Sequence, residues 1–75
     1  MTIFIVVKQS RFISRLRHHA RKNGLPFRVD RLRGKGSHVT VYLGTARTIV
    51  KAGELNPGYV KVLLKQLRLP PDAIS

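Results

Sequence analysis

The 75-residue chain contains no cysteine and only three acidic residues. Without cysteine it cannot form disulfides, thiolate zinc sites or a thiol nucleophile. Nothing in this composition indicates an oxidising compartment, so the expected location is cytoplasmic. The longest apolar run, residues 3–7, is too short to span a membrane and lacks the flanking features of a signal peptide.

Basic residues far outnumber the acids Asp30, Glu54 and Asp72. Fifteen Lys and Arg side chains give a formal net charge of +12, which predicts a polyanionic partner. Nucleic acid is the first candidate, an anionic membrane surface the second and an acidic protein the third. The hydrophobic fraction of 43% indicates one folded domain over residues 1–75. Residues 1–7 are expected to be an N-terminal extension or edge strand, and residues 70–75 a tail.

The spacing of apolar residues predicts a first helix over residues 10–23, with Ser10 as N-cap and Asn23-Gly24 as the stop. Its apolar stripe is expected to face the core and its basic stripe to face solvent or a ligand. The helix has no acid, so no i,i+4 ion pair can neutralise the basic stripe. The apolar residues are Phe12, Ile13, Leu16 and Ala20, and the basic stripe is Arg11, Arg15, His18 and Lys22.

Three strands are predicted over residues 26–33, 37–43 and 46–51, joined by turns at 33–36 and 44–45. Such short turns favour antiparallel neighbours. In the middle strand, Val39, Val41 and Leu43 alternate with His38, Thr40 and Tyr42.

A connector over residues 52–55 leads to a second helix, with Asn56 as N-cap, Pro57 at the first position and Pro70-Pro71 as the end. The order is therefore α-β-β-β-α. It predicts an α+β fold in which two helices cover one face of a three-stranded antiparallel sheet and leave the other open. The helix has an apolar face of Val60, Leu63, Leu64 and Leu67 and a basic face of Lys61, Lys65 and Arg68.

His38 is the main candidate for chemistry. Glycines at 34 and 36 flank Lys35, and the backbone amides of such a turn can bind an anion. An imidazole beside a bound phosphodiester suits general acid or base work near neutral pH. The alternative is a half-exposed strand histidine with no role. Tyr42 likewise has a functional and a structural interpretation, stacking on a nucleic-acid base or packing within the protein.

Other chemistries find little support. His18 and His19 are adjacent on a helix, so their side chains diverge and do not favour one metal site. Asp30 and Glu54 are too isolated to form a carboxylate pair. Ser37 belongs to no recognisable triad, and residues 34–37 lack the glycine spacing of a Walker A loop.

Several segments together resemble one family. Residues 33–39, Arg-Gly-Lys-Gly-Ser-His-Val, resemble the Gly-Ser-His motif of HicA-type toxins. Residues 53–58 and 62–67 resemble the C-terminal signature of that family, and residues 8–10 and 22–24 also fit. The similarity runs from about Lys8 to Leu69, and the order and spacing of the motifs are more specific than any motif alone.

The resemblance implies a fold like the double-stranded-RNA-binding domain and an activity that cleaves messenger RNA. The motif histidine, here His38, is the implied catalytic residue, and no cofactor or metal is implied. A HicB-type antitoxin protein is the implied partner, with no membrane association and with oligomers only through the antitoxin complex. The chain departs from many relatives in having Val39 after the motif histidine and no second histidine within residues 50–53.

The resulting hypothesis is a metal-independent ribonuclease. Arg33, Lys35, Arg47 and Lys51 are expected to hold the phosphate backbone, with Gly36 and Ser37 offering backbone amides. His38 is expected to act as base and then acid, or to share the second step with Lys35 or Arg47. Two alternatives stay open, a non-catalytic RNA-binding module and an interaction subunit for an acidic protein.

Overall fold

The computed structural model describes residues 7–31, 38–70, 72 and 73. In chain order the elements are β1 (Val7–Lys8), α1 (Gln9–Lys22), β2 (Phe27–Asp30), β3 (Val39–Leu43), β4 (Ala46–Val50), β5 (Glu54–Leu55) and α2 (Pro57–Gln66). The predicted turn over residues 33–36 lies outside the described residues. Within the described part of the chain, no helix is both long and apolar enough to cross a bilayer.

The main sheet is antiparallel, with strand order β2-β3-β4. Val41, at its centre, pairs with Val29 on one side and Thr48 on the other. The turn between β3 and β4 contains Gly44 at φ +59°, a left-handed conformation that glycine adopts without a steric penalty. The prediction of three antiparallel strands is confirmed, although each is shorter than predicted.

Both helices pack on the same face of the main sheet. A single core joins residues from α1, α2, β3 and β4, so the face that carries Val39, Val41 and Leu43 is covered. The apolar stripe predicted for α1 is fully buried. The buried core residues are Phe12, Ile13, Leu16, Ala20, Val39, Val41, Leu43, Val50, Leu55, Leu63, Leu64 and Leu67.

The N-terminal end of α1 differs from the prediction. The helix begins at Gln9, and Lys8 is its N-cap without a side-chain hydrogen bond, so the assignment of Ser10 as N-cap was wrong. Lys8 belongs to β1, which pairs antiparallel with β5, and the Gln9 amide donates to the Gly53 carbonyl at 2.9 Å. The segment predicted as a connector over residues 52–55 therefore contains a strand.

Helix α2 begins as predicted and ends earlier than predicted. The Asn56 side-chain oxygen accepts a hydrogen bond from the Tyr59 amide at 2.8 Å. The helix ends at Gln66, three residues before Leu69, so Pro70-Pro71 does not end it. Arg68 follows at φ +61°, and the Leu69 amide donates to the Leu64 carbonyl at 2.8 Å. These features form a Schellman cap.

Polar contacts hold α2 along the edge strand β4. Thr48 is buried, and its hydroxyl donates to the side-chain oxygen of Gln66. The Tyr59 hydroxyl donates to the Ile49 carbonyl at 3.2 Å and accepts from the Lys51 amide at 3.3 Å. Helix α2 therefore satisfies backbone groups at the edge of the sheet that would otherwise require water.

Candidate nucleic-acid interface

His38 is exposed and directly precedes β3, one residue outside the strand in which it was predicted. Val39, the next residue, pairs with Val50 at the end of β4. His38 therefore lies at the end of the sheet where the chain enters β3. The preceding residues Arg33, Lys35, Gly36 and Ser37 lie outside the described residues, so their arrangement around His38 remains a prediction.

The two cations predicted to accompany His38 on the neighbouring strand lie at different levels of the sheet. Lys51 follows Val50 and so shares the end of the sheet at which His38 lies. Its ammonium lies 5.2 Å from the centroid of the Tyr59 ring, within cation–π range. Arg47 instead pairs with Tyr42. Tyr42 is four residues beyond His38, which corresponds to roughly 13 Å along the strand.

This separation bears on the sequence-based hypothesis that Arg47 shares proton transfer with His38. A general acid must reach the leaving oxygen at hydrogen-bonding distance, so Arg47 is badly placed to share proton transfer with His38 at one phosphate. An arginine also stays protonated at any ordinary pH, which makes it a poor proton donor. Arg47 is better suited to hold a phosphate further along a bound strand.

The open face of the sheet carries six side chains in two rows, defined by strand register. The first row is Arg28, Tyr42 and Arg47, and the second is Asp30, Thr40 and Ile49. They lie opposite the core because Phe27, Val29, Val39, Val41, Thr48 and Val50 occupy the alternate positions.

Two members of this face were missed by sequence reasoning. The Arg28 guanidinium lies 4.5 Å from the Tyr42 ring centroid, and Ile49 is 59% exposed. The alternation of Phe27 and Val29 in the sequence could have placed Arg28 on the open face. The exposure of Ile49 was harder to predict from the sequence, because β-branched residues also fill buried strand positions.

A second basic surface lies on α1. Its predicted basic stripe is exposed at Arg11, Arg15, His18 and Lys22. A shallow depression of about 610 Å³ lies along it, lined partly by Ser10 and Ser14. Helix α1 packs on the covered face of the sheet, so this stripe and the open face point to opposite sides of the domain.

No group of three metal-ligating side chains occurs among the described residues. His19 is half-buried and lies beside Asn23, whose amide nitrogen is 3.5 Å from the ring Nδ1. That amide also donates to the His19 carbonyl at 2.8 Å. His19 and Asn23 thus belong to the end of α1, where the side-chain amide supplements the helix cap.

Comparison of the chain with models of protein families, with curated proteins and with solved structures found no match. The fold is therefore described by its own elements alone, as an α+β arrangement of a three-stranded antiparallel sheet, a two-stranded sheet and two helices. Membership of the HicA family and its activity remain predictions from the sequence motifs.

Proposed function

We propose that this chain is a metal-independent endoribonuclease, the toxin of a HicA-type toxin–antitoxin pair acting on messenger RNA in the cytoplasm. Its larger elements, in the order α1-β2-β3-β4-α2, are taken to form a fold of the double-stranded-RNA-binding-domain type. The observation that carries the proposal is the position of His38, which is exposed at the entry to β3 and follows Arg33 and Lys35 in the sequence. The +12 net charge supports a polyanionic substrate.

The proposed reaction is an internal transesterification. His38 takes the proton of a ribose 2′-hydroxyl, and the 2′-oxygen forms a bond to the adjacent phosphorus. The bond from phosphorus to the 5′-oxygen then breaks, and that oxygen takes up a proton. The products are one strand with a 2′,3′-cyclic phosphate and one with a 5′-hydroxyl.

Charge stabilisation is assigned to the loop before β3 and to the neighbouring strand. Lys35 and the amides of Gly36 and Ser37 are assigned to stabilise the extra negative charge on the phosphoryl oxygens in the transition state. Arg33 and Lys51 hold the phosphate backbone near His38, and Arg47 holds it further along. The register, which puts Arg47 roughly 13 Å along the strand from His38, supports this division.

The second proton transfer follows from what lies near the site. With Arg47 distant, the imidazolium formed in the first step is the best-placed donor for the leaving 5′-oxygen. One histidine then acts first as base and then as acid. Lys35 is the remaining alternative donor.

An acidic antitoxin of the HicB type is the proposed protein partner. Its acidic groups would cover His38 and the basic loop before β3, and charge complementarity would speed association. We expect Arg33→Glu and Lys35→Glu to weaken that complex in a titration calorimetry experiment. Normal binding by both variants would place the contact surface elsewhere.

The test of the activity is a digestion of RNA and of its DNA analogue in the presence of EDTA. Purified protein is incubated with a mixed-sequence RNA and with the all-deoxy strand of the same sequence. We expect cleavage of RNA alone, with cyclic phosphate ends on the products, because the deoxy strand has no 2′-hydroxyl. Cleavage of both strands at similar rates would contradict the mechanism, and so would loss of RNA cleavage in EDTA.

A non-catalytic RNA-binding module is the second candidate. The stack of Arg28 on Tyr42 favours it, since an exposed aromatic–arginine pair can bind nucleic acid without any chemistry. Saturable RNA binding with no cleavage products in the same digestion would support this alternative.

A further inference from the structure

The side of Tyr42 that faces β4 borders a shallow cavity that extends from the open face to the β4 edge of the sheet, where Thr48 meets Gln66 of α2. The cavity has a volume of about 590 Å³ and is lined by Thr40, Tyr42, Arg47, Thr48, Ile49 and Gln66. Arg28 is absent from this lining, although its guanidinium lies 4.5 Å from the Tyr42 ring centroid. Strands β2 and β4 flank β3 on opposite sides, so Arg28 supports the ring from one side and the cavity opens on the other.

The lining combines an aromatic ring, an exposed aliphatic side chain and a cation. Tyr42 is half-exposed, and Ile49, on the neighbouring strand, exposes 59% of its surface. An isoleucine exposed to this degree beside an aromatic ring offers apolar surface to a flat ligand. Arg47 pairs directly with Tyr42 and is exposed, so it can hold a negative group at the rim.

We propose that this cavity binds an unpaired base of single-stranded RNA, stacked on Tyr42 and in contact with Ile49, with Arg47 on the adjoining phosphate. The inference rests on the proposed function in taking RNA as the ligand, and it adds that the substrate is single-stranded. A duplex hides its base faces in the helical stack, so it cannot supply the ring that the cavity fits.

The pairing of an aromatic ring with a cation favours RNA over an acidic protein as the occupant. Each nucleotide carries both a flat ring and a phosphate, which match Tyr42 and Arg47 in the first row. The second row, Asp30, Thr40 and Ile49, contains no basic residue. The phosphates are therefore expected along the first row, beside Arg47.

The position of Tyr42 relative to His38 gives this base a role in choosing the cleavage site. Tyr42 lies four positions after His38 in the chain, a distance of roughly 13 Å. The stacked base and the cleaved phosphate then belong to different nucleotides. The cavity thus places the strand relative to His38, and a preference of Tyr42 for one base would set where cleavage falls.

The test measures binding in a chain that carries His38→Ala, so that no cleavage intervenes. The probes are a fluorescent single-stranded RNA, the same RNA annealed to its complement, and a strand of equal length without bases. We expect single-stranded RNA to bind more tightly than the duplex. Tyr42→Thr should weaken single-strand binding by roughly 5- to 160-fold, the range for one stacked base, whereas Tyr42→Phe should bind like the parent.

The strand without bases separates stacking from charge. Tyr42→Thr should leave its binding unchanged, because only Arg47 and other cations contact the phosphates. Ile49→Thr provides a second variant that retains a β-branched strand residue, and we expect it to weaken single-strand binding as well. Val62→Thr is the matched control, since Val62 is 50% exposed on α2 and does not line the cavity.

The inference is overturned if Tyr42→Thr and Ile49→Thr both bind single-stranded RNA like the parent, or if the duplex binds equally well. It is also overturned if an acidic peptide binds at this cavity and single-stranded RNA does not. These outcomes are independent of catalysis. If the parent cleaves RNA while Tyr42→Thr and Ile49→Thr bind it normally, only this inference is removed. If RNA binding depends on Tyr42 but the parent does not cleave RNA, only the ribonuclease proposal is removed.

Discussion

Leu16 and Phe12 are fully buried in the core, and the size of the chain makes each of them important. A domain of this length typically has a free energy of unfolding of about 4–11 kcal/mol. Replacing a buried leucine with alanine removes apolar contacts and leaves a cavity, at a cost of about 2–5 kcal/mol. A single core residue therefore accounts for a large part of the stability.

We expect Leu16→Ala to lower the free energy of unfolding by about 2–5 kcal/mol in urea titrations. Val62→Ala is the control, because Val62 is half-exposed and its truncation should change stability by less than about 0.5 kcal/mol. Equal effects of the two substitutions would contradict the burial described for α1 and α2.

At the residue scale the sequence predicted the core well. The alternation of Val39, Val41 and Leu43 and the helical spacing of Phe12 and Leu16 require only local periodicity. The stacking of Arg28 on Tyr42 was not predicted, because it depends on the register between two strands. The surroundings of His38 depend on the loop before β3, so its role rests on the motif more than on geometry.

At the scale of elements, the C-terminal caps of the two helices can be compared directly. Both helices end in a Schellman arrangement with a residue at positive φ, Gly24 at +65° after α1 and Arg68 at +61° after α2. Glycine adopts this conformation freely, whereas a side chain with Cβ costs roughly 1 kcal/mol. The two ends therefore have the same geometry and different strain.

We expect Arg68→Gly to raise the free energy of unfolding by about 1 kcal/mol, because it relieves the left-handed conformation. Gly24→Ala, at the matching position of α1, should lower it by a similar amount, and nothing lies near enough for the added Cβ to clash. Thermal unfolding followed by circular dichroism measures both. Changes of the same sign would show that backbone conformation does not dominate at these caps.

The pairing of β1 with β5 shows which elements the sequence could not predict. Each strand has two residues, too few for an alternating pattern, and 48 positions separate Val7 from its register partner Leu55. The same pairing moved the start of α1 to Gln9, because the Gly53 carbonyl accepts from the Gln9 amide. Local capping rules favoured Ser10, and a long-range contact decided otherwise.

The whole molecule presents basic surfaces on opposite sides, and their salt dependence distinguishes them. Every phosphate contact releases counterions, so the logarithm of the binding constant falls with the logarithm of salt concentration by about 0.7 for each contact on a single strand. Arg47 is the cation assigned to the strand on the open face. Lys61 is exposed on α2, which packs on the covered face.

We expect Arg47→Gln to reduce the magnitude of this slope by about 0.7 for single-stranded RNA. Lys61→Gln removes the same charge and should leave the slope unchanged, as should Tyr42→Thr, which lowers affinity without removing a cation. Binding measured across a range of salt concentrations gives all three slopes. An equal decrease in the slope for Arg47→Gln and Lys61→Gln would mean that net charge alone governs binding, without a defined position of the RNA on the open face.

At this scale the α+β fold class and the net charge could be predicted from the sequence, because element order and composition determine them. The division of the basic residues between two sides of the domain could not be predicted, since it depends on which face of the sheet the helices cover. The chemistry assigned to His38 depends on both, and it remains the central claim.

The most direct test of that claim compares RNA cleavage by the parent, by His38→Ala and by His19→Gln, each incubated in EDTA with the same single-stranded RNA. His38→Ala should lose about 10²- to 10⁴-fold in rate, while retaining its fold, because His38 is exposed. His19→Gln removes an imidazole from the end of α1, on the covered side of the sheet, and should cleave like the parent. Equal cleavage by the parent and His38→Ala would contradict the assignment of His38 as the catalytic residue.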